Sequence, residues 1–198
     1  MRAYVVDQPG AGFRAVDALR PAPAGGQVLV RVRASGVNPL DTKIRAGKAG
    51  HAKQPLPAVL GLDMAGVVEE VGPGVEGFER GDAVYGMVGG VGGLPGTLAE
   101  FVAADALLLA RKPRNLSMRE AAALPLAVIT AWEGVVDRAP VRAGQKVLIH
   151  AGAGGVGHVA VQIARALGGE VFATVSPEKA EIVEGFGATP IDYRTIPV

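Results

Sequence analysis

The chain contains no cysteine among its 198 residues. This absence excludes disulfides, thiol nucleophiles and zinc held by cysteine. An excess of charge is also missing, because the net charge is only +1 and the lysines and arginines are scattered along the chain. We therefore do not expect nucleic acid as a partner.

Long hydrophobic runs are missing as well. The longest apolar stretch, residues 121–132, is too short to span a bilayer and contains a proline. Met1 is not followed by the charged start and apolar core of a secretory signal. We expect a cytoplasmic protein without a membrane partner. Because 49% of its residues are hydrophobic and 20% are charged, the chain can fold around a buried core.

The first 140 residues predict short strands separated by turns. In residues 27–33, three valines fall on one face of a predicted strand and Arg31 and Arg33 on the other. Strands are also predicted at residues 63–71, 83–87 and 97–103. Residues 86–96 are rich in glycine and predict a flexible surface loop. This succession of strands predicts a small, mostly antiparallel β-barrel or sandwich.

The pattern then changes to strand, helix, strand, helix. Residues 146–150 form a short apolar run, typical of a central parallel strand covered on both faces. Helices are predicted at residues 155–167 and 176–186, a second strand at 170–175 and the start of a third at 190–193. Such a βαβ succession builds a parallel sheet through right-handed crossovers.

A glycine-rich loop joins the first of these strands to its helix. Gly152, Gly154 and Gly157 have G-x-G-x-x-G spacing, which suits a tight turn, close approach of a pyrophosphate and close packing of helix on strand. The helix would direct its free amides and positive dipole end at the phosphate. The alternative is a merely structural glycine-rich turn. The residues expected to bind the cofactor here are Gly152, Gly154, Gly155, Val156 and Gly157.

The end of the second strand bears on the choice between NAD and NADP. An NAD site places Asp or Glu about 20 residues beyond the glycines, whereas Ser176 occupies that position here. Ser176, Lys179 and Arg194 could bind a 2′-phosphate, while Glu178 is the argument for NAD. Ser176 before Pro177 is also an ordinary helix start. We predict NADP as the cofactor.

Several separated segments, in order, resemble one family. They are residues 34–47 (ASGVNPLDTKIRAG), 61–75 (GLDMAGVVEEVGPGV), 96–101 (GTLAEF), 125–132 (PLAVITAW) and 151–157 (AGAGGVG). Through them the chain resembles the medium-chain dehydrogenase/reductase superfamily, specifically the zinc-independent quinone oxidoreductases related to zeta-crystallin.

The resemblance implies an all-β and an α/β part with the active site in a cleft between them. Residues 1–125 would form a GroES-like catalytic domain, a mostly antiparallel β-barrel, and residues 126–198 the first part of a doubly wound Rossmann sheet. A complete sheet of this kind would need roughly 90 residues more. We therefore expect the Rossmann domain to be truncated, its remainder absent from this sequence. Relatives often form homodimers, which makes dimerisation a further expectation.

The resemblance also implies roles for single residues. Zinc-dependent members carry a cysteine near the position of Asn38 and a histidine near that of Asp63, so a zinc-free enzyme is expected. Asn38 resembles the substrate-pocket asparagine of the family, and Asp41 would stabilise its loop or contact substrate. The alternatives are that Asn38 starts a turn and Asp41 caps a short helix. Lys43 departs from the tyrosine common in bacterial relatives, which leaves the polarity of the pocket open.

Two further residues match the family in the second half of the chain. Thr130 matches a threonine near the nicotinamide, although it could equally be satisfied within a helical turn. Tyr193 matches a residue that packs near the adenosine phosphate. These two residues complete the expected site.

The predicted function is transfer of a hydride from NADPH to a quinone or another conjugated carbonyl. Such an acceptor gives a delocalised oxyanion, which needs less electrophilic assistance than a simple ketone. Within the same superfamily the alternatives are an enoyl or alkenal reductase and an alcohol dehydrogenase. In another class, the chain could be a non-catalytic dinucleotide-binding protein or an inactive fragment.

Overall fold

The structure is a computed structural model that describes residues 1–195. The chain divides into two compact units, Met1–Leu126 and a second that starts at Ala127. Among residues 1–195, no helix combines the length and the apolar character that crossing a bilayer would require.

The first unit is built on two antiparallel sheets. Its strands are β1 (Arg2–Val6), β2 (Arg14–Asp17), β3 (Gln27–Ser35), β4 (Ala58–Val59), β5 (Asp63–Val71), β6 (Ala83–Met87), β7 (Phe101–Asp105) and β8 (Ala110–Arg111). The larger sheet has the order β7-β3-β5-β6-β8 and the smaller one β2-β1-β4. Helices α1 (Pro39–Arg45) and α2 (Met118–Ala122) and a 3-10 turn (Ala106–Leu108) complete the unit.

Alternation along β3 places its valines in the core as predicted. Val28 and Val30 are fully buried and pack with Met64 of β5, while Arg31 on the opposite face pairs with Glu69. The predicted bounds of β5 and β6 are confirmed.

The strand predicted at residues 97–103 begins later, at Phe101. Leu98 instead donates its amide to Leu60 and accepts from Tyr4, both at 2.9 Å. Residues 97–99 are therefore held by the smaller sheet and by the segment before β5. These are contacts that the local sequence does not encode.

The glycine-rich segment 86–96 is only partly the surface loop that its composition predicts. Its tip is exposed, but Gly89, Gly90 and Gly96 are buried. A Cβ added to Gly90 would lie 2.5 Å from the carbonyl oxygen of Gly61. The glycines thus allow two backbone segments to pack directly together, a role that differs from flexibility.

This packing predicts different effects of alanine at two positions of the segment. Gly90 and Gly92 both have left-handed φ values, 72° and 65°, so alanine carries a similar backbone cost of about 1 kcal/mol at each. At Gly92 an added Cβ would meet no atom within 4 Å. We expect Gly90→Ala to lower the free energy of unfolding by about 2 kcal/mol more than Gly92→Ala, measured by urea denaturation. Equal losses would show that the segment is not packed.

The second unit is a parallel sheet with helices. Its elements are α3 (Pro125–Trp132, which starts in the first unit), a π-helical turn (Glu133–Arg138), β9 (Lys146–Ile149), α4 (Gly157–Ala166), β10 (Glu170–Val175), a 3-10 turn (Pro177–Lys179), α5 (Ala180–Gly185) and β11 (Thr189–Asp192). The strand order is β11-β10-β9, all parallel. The helix predicted over residues 176–186 is thus a 3-10 turn followed by α5.

One face of α4 covers the sheet. Val159, Ala160 and Ala164 are buried against Val171 of β10. The prediction that β9 is a central strand covered on both faces is wrong for the described residues. Within 1–195 its only strand neighbour is β10, and Leu148 is 45% exposed. An apolar run shows that a strand can be buried, but neighbouring strands decide whether it is.

Candidate dinucleotide site and a buried carboxylate cluster

The glycine-rich loop lies between β9 and α4, where the sequence predicts it. Gly152 is buried, and an added Cβ would lie 2.5 Å from the Cβ of Ala173 on β10. At Gly157 an added Cβ would lie 2.1 Å from the carbonyl oxygen of Ala151. Both glycines therefore serve close packing. The left-handed residue of the turn is Ala151, with a φ of 53°, rather than a glycine.

The middle of the loop has open space beside its backbone. Gly155 has no atom within 4 Å of an added Cβ, and Gly154 meets only Ala151, whose carbonyl oxygen is 3.0 Å away. The amides of Gly155 and Val156 donate to no acceptor in residues 1–195. Free amides and open space just before a ten-residue helix fit a phosphate group.

Thr174 of β10 fastens this loop to the sheet. Its hydroxyl oxygen accepts from the amide of Ala151 and its carbonyl oxygen accepts from that of Gly152, both at 2.9 Å. Thr174 is only 4% exposed. Thr174 was not predicted as a site residue, although a hydroxyl inside the apolar strand EVFATV is a usable signal.

The residues expected around the adenosine phosphate follow two adjacent strands. Ser176, Glu178 and Lys179 come after β10, and Tyr193 and Arg194 come after β11. Parallel strands end at the same edge of a sheet. The two segments accordingly meet in an ion pair of Arg194 Nη1 with Glu178 Oε1 at 3.0 Å.

Of the charged side chains after β10, Glu178 is paired within residues 1–195 and Lys179 is not. A hydrogen bond from the Ser176 hydroxyl, supported by the Glu178 amide and by Arg194, lowers the pKa of Glu178 to about 2. Ser176 makes no side-chain capping bond to the following turn, despite its position at the start of it. Lys179 is exposed and forms no ion pair or side-chain hydrogen bond with any residue of 1–195. The guanidinium carbon of Arg194 lies 5.9 Å from the ring centre of Tyr193.

In the first unit, Asp41 holds the loop that leads into α1. Asn38 and Asp41 form a capping box, in which Asp41 Oδ2 accepts from the Asn38 amide at 2.7 Å. Asp41 Oδ1 accepts from the Leu62 amide at 3.1 Å. Burial raises the pKa of Asp41, against the lowering effect of these hydrogen bonds. Asp41 therefore caps α1 and ties its loop to Leu62, while contact with a substrate stays a prediction.

Asp63 and Asn38 form a hydrogen-bonded pair in which Asp63 is buried and Asn38 is half-buried. Asn38 Nδ2 donates to Asp63 Oδ2 at 2.9 Å, and the Leu126 amide donates to both carboxylate oxygens at 3.2 Å. Asp63 is completely buried. Burial raises its pKa to about 6, because the hydrogen bonds from Asn38 and Leu126 offset the loss of hydration only in part and the charge of Asp41 adds to the rise.

A mostly apolar cavity of about 350 Å³ lies beside this cluster. Asp41 lines it together with Tyr4, Phe13, Val37 and Leu98. The first unit therefore combines a fixed amide and two carboxylates with a neighbouring space suited to an apolar group.

The remaining sequence candidate, Thr130, belongs to the second unit. It lies on α3 and is exposed. Asn38, Asp41 and Asp63 are thus brought together by the fold of the first unit, and the glycine loop by that of the second. Within residues 1–195, no group of three or more His, Cys, Asp or Glu side chains is arranged to hold a metal ion.

Comparison with known proteins agrees with this arrangement. Residues 24–114 match the alcohol dehydrogenase GroES-like domain. An alcohol dehydrogenase superfamily protein from Novosphingobium aromaticivorans is 60% identical, with a TM-score of 0.96 over 98% of this chain and 59% of that one. The Escherichia coli quinone oxidoreductase complexed with NADPH is 30% identical, with a TM-score of 0.83 over 99% of this chain and 60% of that one.

A curated relative gives a similar result. The chloroplastic NADPH-dependent alkenal/one oxidoreductase of Arabidopsis thaliana is 45% identical over 174 residues, which cover 84% of this chain and 45% of that protein. The chain thus spans about half the length of this curated relative.

An antiparallel GroES-like unit followed by a parallel sheet of Rossmann type defines a class of two-part oxidoreductases, and the predicted fold class is confirmed. The chain belongs to the medium-chain dehydrogenase/reductase superfamily.

Proposed function

We propose that the protein to which this chain belongs transfers a hydride from NADPH to a quinone or another conjugated carbonyl, in the cytoplasm and without zinc. The observation that carries this proposal is the open glycine loop, with two free amides at the start of α4. In this assignment residues 1–125 are the catalytic domain and residues 126–198 are the first part of the cofactor domain.

The same loop defines how the chain would hold the dinucleotide. Gly154, Gly155 and Val156 would face the pyrophosphate with backbone only, while Gly152 and Gly157 keep the strand and helix close behind it. NADPH, when bound, supplies the hydride. Thr130 is a proposed contact of the nicotinamide, on the resemblance to the family alone.

The preference for NADP over NAD follows from the paired charges after β10. The acidic residue of an NAD site accepts hydrogen bonds from ribose hydroxyls. Glu178, the first acidic residue after β10, already accepts from Arg194 at 3.0 Å. Lys179 remains to attract a 2′-phosphate, and Tyr193 next to Arg194 offers a packing surface. Ser176 would turn its hydroxyl from Glu178 to the phosphate.

The first unit would orient the acceptor. Asn38 Nδ2 carries two N–H groups and uses one for Asp63. The second, which interacts with the Asp41 carboxylate in the free chain, would turn to the oxygen of the substrate, where negative charge develops during hydride transfer. Asp41 fixes the loop, and the neighbouring apolar cavity would hold the hydrocarbon part of a quinone or enone. Similarity to an alkenal/one oxidoreductase favours enone or alkenal reduction as the second candidate activity.

The cofactor assignment is tested by titrating the chain with NADPH and NADH and following nicotinamide fluorescence. We expect tighter binding of NADPH, and reversal of this preference in Ser176→Asp, because the new carboxylate repels a 2′-phosphate and accepts from ribose hydroxyls. Thr189→Asp is the control, since it adds the same charge at the amino end of β11, the opposite edge of the sheet. Equal affinities in the wild type would contradict the assignment.

The substrate assignment is tested with a quinone, a conjugated enone and a saturated ketone of similar size. We expect oxidation of NADPH by the first two at least about tenfold faster than by the ketone, since only they delocalise the developing charge. NADPH binding without oxidation by any of the three would indicate a dinucleotide-binding protein that is not an enzyme.

A further inference from the structure

Arg194 already has an anionic partner at the place where the proposed cofactor would offer another. Its Nη1 donates to Glu178 Oε1 at 3.0 Å, and its own amide donates to Asp192 Oδ1 at 2.9 Å. The amide bond fixes the backbone at the end of β11, so the side chain reaches across to the segment after β10. Both charged side chains are more than half exposed, at 52% for Arg194 and 64% for Glu178. A nucleotide can therefore reach either of them.

A carboxylate and a phosphate bind a guanidinium in the same way. Both accept charge-assisted hydrogen bonds from its N–H groups, and a phosphate oxygen can replace a carboxylate oxygen on the same donor. Glu178 thus holds Arg194 as a 2′-phosphate would. If both anions remained close to this guanidinium, they would also repel each other.

We propose that Glu178 is a specificity-determining residue that competes with the nucleotide 2′-phosphate for Arg194. This inference rests on the proposed NADP site and assigns to Glu178 a role opposite to that of the acidic residue in NAD sites. While Arg194 holds it, Glu178 is withheld from the ribose hydroxyls of NAD. When a 2′-phosphate binds, the guanidinium exchanges the carboxylate for the phosphate.

Competition of Glu178 for Arg194 predicts that substitutions of the two residues are coupled. Simple repulsion between the Glu178 carboxylate and the phosphate does not predict this coupling. Removing the charge of Glu178 frees Arg194 and strengthens binding of a 2′-phosphate. Removing Arg194 both weakens 2′-phosphate binding and releases Glu178 to accept from a ribose diol, so binding of the unphosphorylated nucleotide strengthens. The two substitutions are therefore coupled, and their combined effect differs from the sum of the separate effects.

The experiment is calorimetric titration with adenosine 2′,5′-bisphosphate and with adenosine 5′-monophosphate, which lacks the 2′-phosphate. Glu178→Gln is expected to bind the bisphosphate about two- to fivefold more tightly than the wild type, the size of an exposed ion pair that is no longer in competition. Its affinity for the monophosphate is expected to stay unchanged. Arg194→Gln is expected to lose bisphosphate affinity and to gain affinity for the monophosphate.

Glu181→Gln is the matched control. Glu181 is an exposed acid in the first turn of α5 and has no ion pair within residues 1–195. Its neutralisation is expected to leave both affinities within about twofold of the wild type, because Glu181 does not pair with Arg194 and its removal frees no donor for the phosphate. If Glu181→Gln gained as much affinity for the bisphosphate as Glu178→Gln, the gain would come from net charge alone. That result would overturn the proposed competition.

Two results separate this inference from the proposed function. If the wild type prefers the bisphosphate but Glu178→Gln binds it no more tightly, the competition is wrong and the NADP site stands. If the wild type shows no preference for the bisphosphate, the NADP site itself is wrong and this inference falls with it. Thermal melting of each variant checks that affinities are compared between folded proteins.

Discussion

Gly157→Ala is expected to destabilise the second unit by about 3 kcal/mol and to abolish NADPH binding. The added Cβ would lie 2.1 Å from the carbonyl oxygen and 2.8 Å from the carbonyl carbon of Ala151. Both are backbone atoms, and the adjoining Gly152 is pinned by Thr174 and by Ala173 on β10. The loop can therefore relieve the overlap only by leaving β10 or by displacing the start of α4. Urea denaturation and NADPH titration measure the two effects.

Gly155→Ala separates packing from ligand binding in the same loop. Gly155 is exposed, has no neighbour within 4 Å of an added Cβ and has no left-handed φ. The free energy of unfolding should therefore change by no more than about 0.5 kcal/mol. NADPH affinity should fall about tenfold, because the methyl group fills space through which the pyrophosphate approaches the backbone. If Gly155→Ala bound NADPH as tightly as the wild type, the loop would not be part of the cofactor site.

Asp63→Asn is expected to remove a pH dependence of stability that the buried carboxyl group creates. The pKa of Asp63 is 3.8 without the protein environment and about 6 in the folded state. Between these pH values the folded state binds more protons at this group than the unfolded state, so its contribution to stability falls as the pH rises. The stabilisation is fully present below pH 3.8 and lost above about pH 6. Its size is up to about 3 kcal/mol.

The measurement is the difference in free energy of unfolding between wild type and Asp63→Asn, followed from pH 4 to pH 7.5. The difference should shift by a few kcal/mol in favour of the variant as the pH rises, since asparagine carries no charge to desolvate. Asp17→Asn is the control, because Asp17 is exposed on β2 and should give a curve parallel to the wild type. A difference that does not vary with pH would mean that Asp63 is not held in a desolvated site.

Local sequence pattern was sufficient where neighbouring residues alone set the structure. The bounds of β5, β6 and β10 follow from the residues themselves, and the glycine loop falls between a strand and a helix as predicted. Apolar alternation with a period of two identifies one buried face of a strand without reference to its partner. The resemblance to the family added candidate residues, but not their contacts.

The sequence did not reveal the contacts of residues whose partners lie far away in the chain. Asp63 was noted only for the histidine that it replaces, yet it is the acceptor for Asn38 and Leu126. Glu178 was counted as an argument for NAD because it is acidic. Its ion pair with Arg194 could not be foreseen, since the two residues are 16 positions apart in the chain. The residues that follow one strand do not reveal which side chain after the neighbouring strand they will contact.

The sequence by itself determined the order of strands and helices after residue 140, the exclusion of cysteine chemistry and the position of the glycine-rich loop, because these depend on residue type and on spacing along a few neighbouring residues. Only the tertiary structure decided that Gly90 is packed rather than mobile, that β9 has one strand neighbour within residues 1–195, and that Asp63 is buried beside Asn38. Burial, charge pairing and pKa depend on atoms brought close in space by residues far apart in the chain, and that proximity exists only after folding.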